Sequence, residues 1–321
     1  MNTKIVSGEW GVEQAALLLH LGGLVALPTE TVYGLAGDAL NASAVALIFE
    51  AKERPAFYPL IVHLPNLEWL DRLTTAAKDP LIAELIRRFW PGPLTLVLPR
   101  RSIVPDLVTS GLPTVAVRMS AHPLFRAVLE RFGNPVAAPS ANRFGRISPT
   151  AAEHVLEELG GRIPLILDGG PCAIGVESTV VALDNGGLKL LRAGPVTAEE
   201  LAAIAPIRAA GPAIQAPGQL ESHYAPGTRM RLLANPAEAG AWTGPEKAGL
   251  LAWSRREKPP QFSAMEVLTP NNDPREAAAR LFAAMRRLDA MSLELIVAEP
   301  PPAHGLGVAI LDRLRKAAAP R

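Results

Sequence analysis

Positively charged and hydroxyl side chains recur in the first two-thirds of this 321-residue chain, at the predicted ends of strands and helices. Ligands of open α/β sheets bind outside the ends of strands, so these side chains would meet if their strands share one sheet. Together they suit an anionic ligand with a small polar partner. Each alone has a simpler explanation, such as a turn hydrogen bond or an ion pair. The members of the set are Thr31, Lys52, Arg54, Arg118, Ser140, Asn142, Ser148, Ser178 and Arg192.

The stretch 24–64 is the part of the chain around which this site is predicted to form. An apolar strand at 24–27 runs into the sequence Pro-Thr-Glu-Thr-Val-Tyr-Gly, and a second apolar run follows at 60–63. The hydroxyls of the first segment and the cations before the second would converge if both strands belong to one sheet.

A helix is predicted between these two strands, because apolar residues recur there at three- and four-residue steps. Asn41 or Ser43 can cap its beginning, and Pro55 prevents its continuation. Lys52 and Arg54 therefore lie where the chain leaves the helix. An alternative is that these two cations only complement the helix dipole and stay in solvent.

The remaining elements of the first half indicate a mixed sheet. Strands are predicted at 94–98, 115–117, 136–138 and 165–167, and 178–191 reads as a hairpin about an Asp-Asn-Gly-Gly turn. Helices between these strands place the segment among α/β domains with a mixed sheet.

A polar loop, 139–149, carries Ser140, Asn142 and Ser148. Thr150 is predicted to cap the helix that follows, with Glu153 three residues on as its reciprocal partner.

A second, smaller unit follows a segment rich in Pro, Gly and Ala. This segment contains His223 and Tyr224, which a plain spacer does not need. Beyond it, strands alternate with helices, as is typical of a small Rossmann-like sheet. Its best helix is predicted from Asp273, with Pro274 at the first helical position and Glu276 as the reciprocal capping partner.

The composition excludes several classes of protein. Lys and Arg number 32 against 31 Asp and Glu, so the chain is not a protein that coats nucleic acid through bulk charge. Cys172 is the only cysteine, which excludes an intrachain disulfide and a cysteine metal cluster and suggests a small buried side chain. No apolar run approaches a membrane span and no N-terminal signal pattern is present, so the expected location is the cytoplasm.

Four motifs in this order resemble the threonylcarbamoyl-AMP synthase family, of the YrdC-like superfamily. They are Pro28-Thr29-Glu30-Thr31-Val32-Tyr33-Gly34-Leu35, Lys52-Glu53-Arg54, Pro139-Ser140-Ala141-Asn142 and Ser178-Thr179-Val180. The resemblance covers roughly residues 5–205. His223-Tyr224-Ala225-Pro226 and the second unit are similar to the longer, two-domain form of the family.

The resemblance implies a YrdC-like twisted mixed sheet flanked by helices, with a smaller Rossmann-like α/β/α domain at the C-terminal end. The expected division is a catalytic domain at 1–208, a linker or lid over the active site at 209–229 and the small domain at 230–321. Residues 209–229 are expected to exclude water from a labile product.

The implied activity joins L-threonine, bicarbonate and ATP into threonylcarbamoyl-AMP and releases pyrophosphate. Mg²⁺ is expected on the triphosphate without dedicated protein ligands. The product would pass to a threonylcarbamoyl transferase machinery that modifies tRNA next to the anticodon, and direct contact with tRNA is left open.

The resemblance also implies roles for individual residues. Lys52 and Arg54 are the expected catalytic cations. L-Threonine is expected at Thr31, His63, Arg118, Ser178 and the backbone of Ala138. ATP is expected at Arg54, Tyr58, Thr114, Ser140, Asn142, Ser148, Arg192 and Tyr224.

Two alternatives stay open at this point. A non-catalytic RNA-binding or ribosome-maturation protein of the same superfamily would use the same basic pocket without amino-acid selectivity. The YrdC-like part of a hydrogenase maturation carbamoyltransferase is less compatible, because zinc-finger cysteines are absent.

Overall fold

The computed structural model describes residues 2–184, 186–209, 211, 216–254 and 257–320. Asn185 of the predicted hairpin turn, and residues 210 and 212–215 of the predicted linker, lie outside the described residues. The chain forms two compact units. The first comprises Met1–Phe144, Pro149–Ala173 and Glu177–Gln219, and the second comprises Gly145–Ser148, Ile174–Val176 and Leu220–Arg321. The expected bounds at 208 and 229 stay a prediction.

The first unit is built on an 11-stranded twisted mixed sheet, so the predicted fold class is confirmed. Its strands are β1 (Lys4–Ser7), β2 (Val25–Leu27), β3 (Gly34–Asp38), β4 (Ile61–His63), β5 (Leu94–Pro99), β6 (Thr114–Arg118), β7 (Val136–Ala137), β8 (Leu165–Asp168), β9 (Thr179–Asp184), β10 (Gly187–Arg192) and β11 (Ile207–Ala209). Their order in the sheet is β1-β8-β2-β3-β7-β4-β6-β5-β9-β10-β11. The antiparallel pair of β9 and β10 is the predicted hairpin.

Helices cover the sheet of the first unit. They are α1 (Gly8–His20), α2 (Ala42–Lys52), α3 (Glu68–Leu73), α4 (Pro80–Phe89), α5 (Asp106–Thr109), α6 (Pro123–Phe132), α7 (Ala152–Leu159) and α8 (Ala198–Ala202). The largest buried apolar cluster of this unit includes Leu35, Ile48 and Leu85, which come from β3, α2 and α4. A second cluster packs α1 against α6 through residues such as Leu19 and Phe125.

Helix α2 begins and ends for identifiable reasons. The side chain of Asn41 accepts hydrogen bonds from the amides of Ser43 and Ala44, which confirms Asn41 as the cap. Glu53 adopts a left-handed conformation with φ 52° and terminates the helix. Lys52 and Arg54 are both buried, so the alternative that they stay in solvent is wrong.

The predicted capping of α7 is wrong. The helix begins at Ala152, its N-cap is Ala151, and no side chain caps it. Because the cap position is one residue later than predicted, the residue three positions after it is His154 and not Glu153. The hydroxyl of Thr150 instead lies 3.4 Å from Nδ1 of His154.

The second unit contains a four-stranded, all-parallel sheet, as predicted. Its strands β12 (Arg229–Leu232), β13 (Ala248–Ser254), β14 (Ala264–Thr269) and β15 (Leu295–Ala298) lie in the order β12-β15-β13-β14. A short 3₁₀ helix (Pro236–Ala239) and the helices α9 (Pro274–Asp289) and α10 (Leu306–Ala318) complete the unit. Among the described residues, no helix has the length and apolar character needed to cross a membrane.

Asp273 caps α9, with Pro274 in the first turn, as the sequence predicts. Glu276 has a different role from the predicted one. Its carboxylate accepts a hydrogen bond from the Thr269 hydroxyl at 2.9 Å, and the same hydroxyl oxygen accepts from the amide of Asp273 at 2.8 Å. Thr269 therefore accepts the hydrogen bond from the Asp273 amide that the sequence pattern assigned to Glu276.

Candidate active site

A tight turn after β2 brings the first hydroxyls of the site into position. Oγ1 of Thr29 accepts hydrogen bonds from the amides of Thr31 at 3.0 Å and Val32 at 3.1 Å, which closes the turn locally. The hydroxyls of Thr29 and Thr31 lie 2.8 Å apart, and both residues are buried. This turn leaves Glu30 at its tip.

Arg118, the last residue of β6, is held from three sides. Its Nε donates to the carbonyl of Gly92 at 3.2 Å, Nη1 to the hydroxyl of Thr31 at 3.0 Å and Nη2 to the carboxylate of Glu30 at 2.7 Å. The second oxygen of Glu30 accepts from the hydroxyl of Ser120 at 2.5 Å. The guanidinium is therefore fixed, and two of its five N–H groups remain for a ligand.

Glu30 stays ionised in this largely buried position. Burial by itself raises the pKa of Glu30, but the Arg118 charge and the hydrogen bonds from Ser120 and Arg118 outweigh burial and lower the pKa to about 2. The Glu30–Arg118 ion pair is thus present throughout the physiological pH range.

His63 lies beside Arg118, because the last residues of the parallel strands β4 and β6 are paired in register. Its ring packs on Phe125 with centroids 4.8 Å apart. Burial, followed by the neighbouring Arg118 charge, lowers the pKa of His63 to about 3. The imidazole is therefore neutral, and within the described residues its Nδ1 has no hydrogen-bond partner.

Ser178 comes directly before β9 and is fully buried. Its hydroxyl lies 2.7 Å from that of Thr95 on β5 and accepts from Nη2 of Arg192 at 3.0 Å. Nε of Arg192 donates to the carbonyl of Ser178 at 3.0 Å. The backbone of Gly194 passes so close that a Cβ there would lie 2.4 Å from the amide nitrogen of Thr179. Only glycine therefore fits at position 194 while Arg192 stays bonded to Ser178.

Lys52 projects from the end of α2 into the polar loop. Its Nζ donates to the carbonyl of Ser140 at 2.5 Å and to that of Asn142. Burial, followed by the Arg54 charge, lowers the pKa of Lys52, and the Glu158 charge opposes this shift. Lys52 therefore anchors the loop as well as bringing charge to it.

The same loop is tied to the turn after β2. The amide of Ala141 donates to the carbonyl of Tyr33 at 2.8 Å, and Gly34 and Ser140 form an antiparallel bridge. These contacts join the Lys52 region to the strand that follows Thr31.

Arg54 lies among aromatic rings beyond α2. Its guanidinium carbon is 4.9 Å from the centre of the Tyr58 ring and 5.7 Å from that of Phe144. Nη2 also donates to the carbonyl of Pro59 at 3.0 Å. A planar cation packed on aromatic rings in this way is kept in a fixed orientation.

One of the two remaining expected residues, Thr114, lies apart from these contacts. Thr114 begins β6 and pairs with Pro99, so it lies at the opposite end of that strand from Arg118, about 13 Å away along the strand. Ala138 follows β7, and its amide donates to the carbonyl of Ile61 at 2.9 Å.

Ser148 and Tyr224 belong to the second unit. The carbonyl of Ile147, next to the buried Ser148, accepts from Nη2 of Arg286 on α9 at 2.5 Å. Tyr224 has a left-handed backbone with φ 62°, and its ring stacks on Phe282 with centroids 5.7 Å apart. The ring also lies 5.2 Å from the guanidinium carbon of Arg313.

Sequence reasoning did not single out Glu30, Thr95 or Ser120. Glu30 lies inside the Pro-Thr-Glu-Thr motif, so its position could have been noticed. Thr95 and Ser120 carry no sequence signal, because only folding brings Thr95 beside Ser178 and Ser120 beside Glu30. Cys172 is buried, as predicted, and burial raises the pKa of its thiol to about 12. Among the described residues, no three His, Cys, Asp or Glu side chains are grouped as metal ligands.

Comparisons with known proteins show the family to which the chain belongs. Residues 17–194 match a family model of the Sua5, YciO and YrdC proteins described as "Telomere recombination", and residues 196–319 match one described as "Threonylcarbamoyl-AMP synthase, C-terminal domain". The first match defines a YrdC-like domain, and the second defines the domain that accompanies it.

Relatives with these names match over nearly the whole chain. Threonylcarbamoyl-AMP synthase of Pyrococcus abyssi is 42% identical, with 98% of this chain and 95% of the relative covered. The Bacillus subtilis enzyme of the same name is 41% identical, with 97% and 93% covered. The crystal structure of P. abyssi Sua5 complexed with L-threonine has a TM-score of 0.86 at 39% identity, with 99% of this chain and 98% of that chain covered. The chain belongs to the threonylcarbamoyl-AMP synthase family.

Proposed function

We propose that this chain condenses L-threonine, bicarbonate and ATP into threonylcarbamoyl-AMP with release of pyrophosphate. The observation that supports this most directly is the convergence of a fixed, buried arginine, buried hydroxyls and a neutral histidine in the first unit. Arg118, Thr31 and His63 form this group, with Arg118 bonded to Thr31 and paired in register with His63.

L-Threonine fits this group by its chemistry. Two free N–H groups of Arg118 suit a two-pronged hydrogen bond to the α-carboxylate, which lysine would not provide. The hydroxyl of Thr31 and the unpartnered Nδ1 of His63 suit the side-chain hydroxyl of the substrate. Valine would leave such a buried polar group without its partner, which gives selectivity. We assign Ser178 and the backbone of Ala138 to the same subsite.

The nucleotide would be held by cations and loop groups. Arg54 and Arg192 are buried and oriented, and they would stabilise negative charge on the phosphoryl oxygens. Lys52 holds the loop carbonyls and adds a third positive charge. The further members of the proposed ATP subsite are Tyr58, Thr114, Ser140, Asn142, Ser148 and Tyr224.

The reaction needs little acid–base chemistry from the protein. The neutral amine of threonine takes up bicarbonate to form a carbamate and water. A carbamate oxygen then forms a bond to the α-phosphorus, and the bond to pyrophosphate breaks. Because the attacking group is already anionic, the contribution of the chain is to position the reactants and to stabilise charge.

Mg²⁺ would arrive with the triphosphate, since Mg²⁺ keeps several water ligands and uses phosphate oxygens. The buried cations fit a Mg²⁺–triphosphate, which carries a net negative charge. The product would pass to a threonylcarbamoyl transferase that acts on tRNA.

We also propose that residues 209–229 act as a lid that shields the labile product from water, because Tyr224 and His223 stand out in an otherwise Pro/Gly/Ala-rich segment. An unchanged product yield and ATP affinity in Tyr224→Ala would contradict the lid.

The test of this function is pyrophosphate release measured with each substrate omitted in turn. We expect release that requires both L-threonine and bicarbonate, and far less release with L-valine in place of L-threonine. Mass spectrometry should detect threonylcarbamoyl-AMP. A protein that binds RNA but releases no pyrophosphate under these conditions would instead be a non-catalytic binding protein.

A further inference from the structure

Glu30 is a largely buried carboxylate to which the reaction assigns no chemical step. Its side chain is 13% exposed, and one oxygen pairs with Nη2 of Arg118 at 2.7 Å. The other oxygen accepts from the hydroxyl of Ser120 at 2.5 Å. A carboxylate that is engaged at both oxygens by neighbours of the substrate site has a defined orientation of its own.

The turn after β2 fixes this carboxylate through the backbone. Thr29 closes the turn with its hydroxyl, as described above, and Glu30 is the residue at the tip. Ser120 is oriented in turn, because its hydroxyl oxygen accepts from the amide of His122 at 3.3 Å. Glu30 is therefore held at its backbone by one segment and at its carboxylate by another.

Arg118 depends on Glu30 for part of its orientation. The carbonyl of Gly92 and the hydroxyl of Thr31 occupy Nε and one N–H of Nη1. Glu30 is the only acidic partner of this guanidinium among the described residues. The ion pair keeps Nη2 in the plane in which the remaining N–H groups can meet both oxygens of a carboxylate.

We propose that Glu30 is a positioning residue for the amino-acid substrate, which aligns the Arg118 guanidinium for the α-carboxylate of L-threonine. This role rests on the proposed function. The same contacts would also serve the opposite role, in which Glu30 competes with the substrate carboxylate for Arg118. The two roles differ in sign: removal of the Glu30 charge weakens L-threonine binding in the first and strengthens it in the second.

The test compares the full-length wild type with Glu30→Gln, which keeps the shape of the side chain and removes its charge. Calorimetry gives Kd for L-threonine and for L-threoninol, which has a hydroxymethyl group in place of the carboxylate. In Glu30→Gln we expect the Kd for L-threonine to rise about tenfold or more, the loss typical of a hydrogen bond to a charged group. The Kd for L-threoninol should change little, and the KM for ATP should stay within about twofold.

The ratio of the two Kd values is the decisive quantity, because a general folding defect would weaken both ligands alike. An unchanged ratio in Glu30→Gln, or tighter binding of L-threonine, would overturn the proposal. Ser120→Ala serves as a second variant if Glu30→Gln fails to fold. Removal of the hydrogen bond from Ser120 should change the ratio of the two Kd values in the same direction as Glu30→Gln, by a smaller factor. An unchanged ratio in Ser120→Ala would also overturn the proposal.

Glu84→Gln is the matched control. Glu84 is also a carboxylate in an ion pair, here with Arg87 and Arg88, but it lies on the surface of α4. This substitution should leave both Kd values unchanged. A wild type that binds no L-threonine refutes the proposed function itself. A wild type that binds L-threonine, with an unaltered ratio in Glu30→Gln, refutes only the role of Glu30.

Discussion

His63 should make the stability of the first unit fall as the pH is lowered from 7 to 5. The imidazole is buried, and its pKa is lowered from 6.5 to about 3. The unfolded chain binds a proton near pH 6.5, whereas the folded chain does not bind it until about pH 3. The stability that His63 preserves above pH 6.5 is therefore lost as the pH falls through 6.5 toward 3.

The size of this loss follows from the two pKa values. Between pH 7 and pH 5 the protonation of the unfolded state alone corresponds to about 2 kcal/mol of unfolding free energy. His63→Gln keeps a polar side chain but removes the titration. The variant should thus lose about 2 kcal/mol less than the wild type over this interval, whatever its stability at pH 7.

Urea unfolding at pH 7, 6 and 5 would measure this difference. Trp242 and Trp253 lie in the second unit, so their replacement by Phe in both proteins restricts tryptophan fluorescence to the first unit. The comparison of two proteins cancels the contributions of all other titrating groups. Equal pH dependence in wild type and His63→Gln would refute the assignment of a neutral, buried His63.

Three further substitutions test separate parts of the structure. Lys52→Met removes the donor to the loop carbonyls, so hydrogen exchange in residues 139–144 should quicken and the KM for ATP should rise; unchanged exchange would contradict the anchoring role. Gly194→Ala places a Cβ 2.4 Å from the amide nitrogen of Thr179, and we expect a loss of about 2 kcal/mol or more in urea unfolding; full stability would show that the backbone can move apart. Arg286→Met removes the hydrogen bond to the carbonyl of Ile147. The KM for ATP should rise several-fold, in line with the loss of a charge-assisted hydrogen bond, while the KM for L-threonine stays constant. Equal changes in both KM values would count against the assignment of Ser148 to the ATP subsite.

Local signals in the sequence were sufficient for most of the secondary structure. Asn41 caps α2 and Asp273 caps α9 as expected, because an N-cap is satisfied by amides two or three residues away. The predicted cap Thr150 with its partner Glu153, and the predicted capping partner Glu276, were wrong for a related reason. A capping pattern of four residues is compatible with more than one set of hydrogen bonds. Residues outside the pattern, such as Thr269, decide which set forms.

Strand β11 could not be predicted from a sequence pattern. β11 has three residues, Ile207–Ala209, in a stretch without apolar periodicity, and it exists because it pairs with β10. A strand of this length has too few residues to display a period of two. Its hydrogen-bond partners come from elsewhere in the chain.

Local sequence patterns were enough to predict the mixed α/β class of the first unit and the Rossmann-like sheet of the second. Those features depend on periodicity, caps and turns, which act over a few residues. Three features of the site depend instead on the folded chain: Arg118 is fixed by Glu30, His63 is neutral, and Lys52 holds the carbonyls of a distant loop. Charge state and orientation depend on burial and on partners 88 residues away for Arg118 and Lys52, and such partners meet only when the sheet has formed.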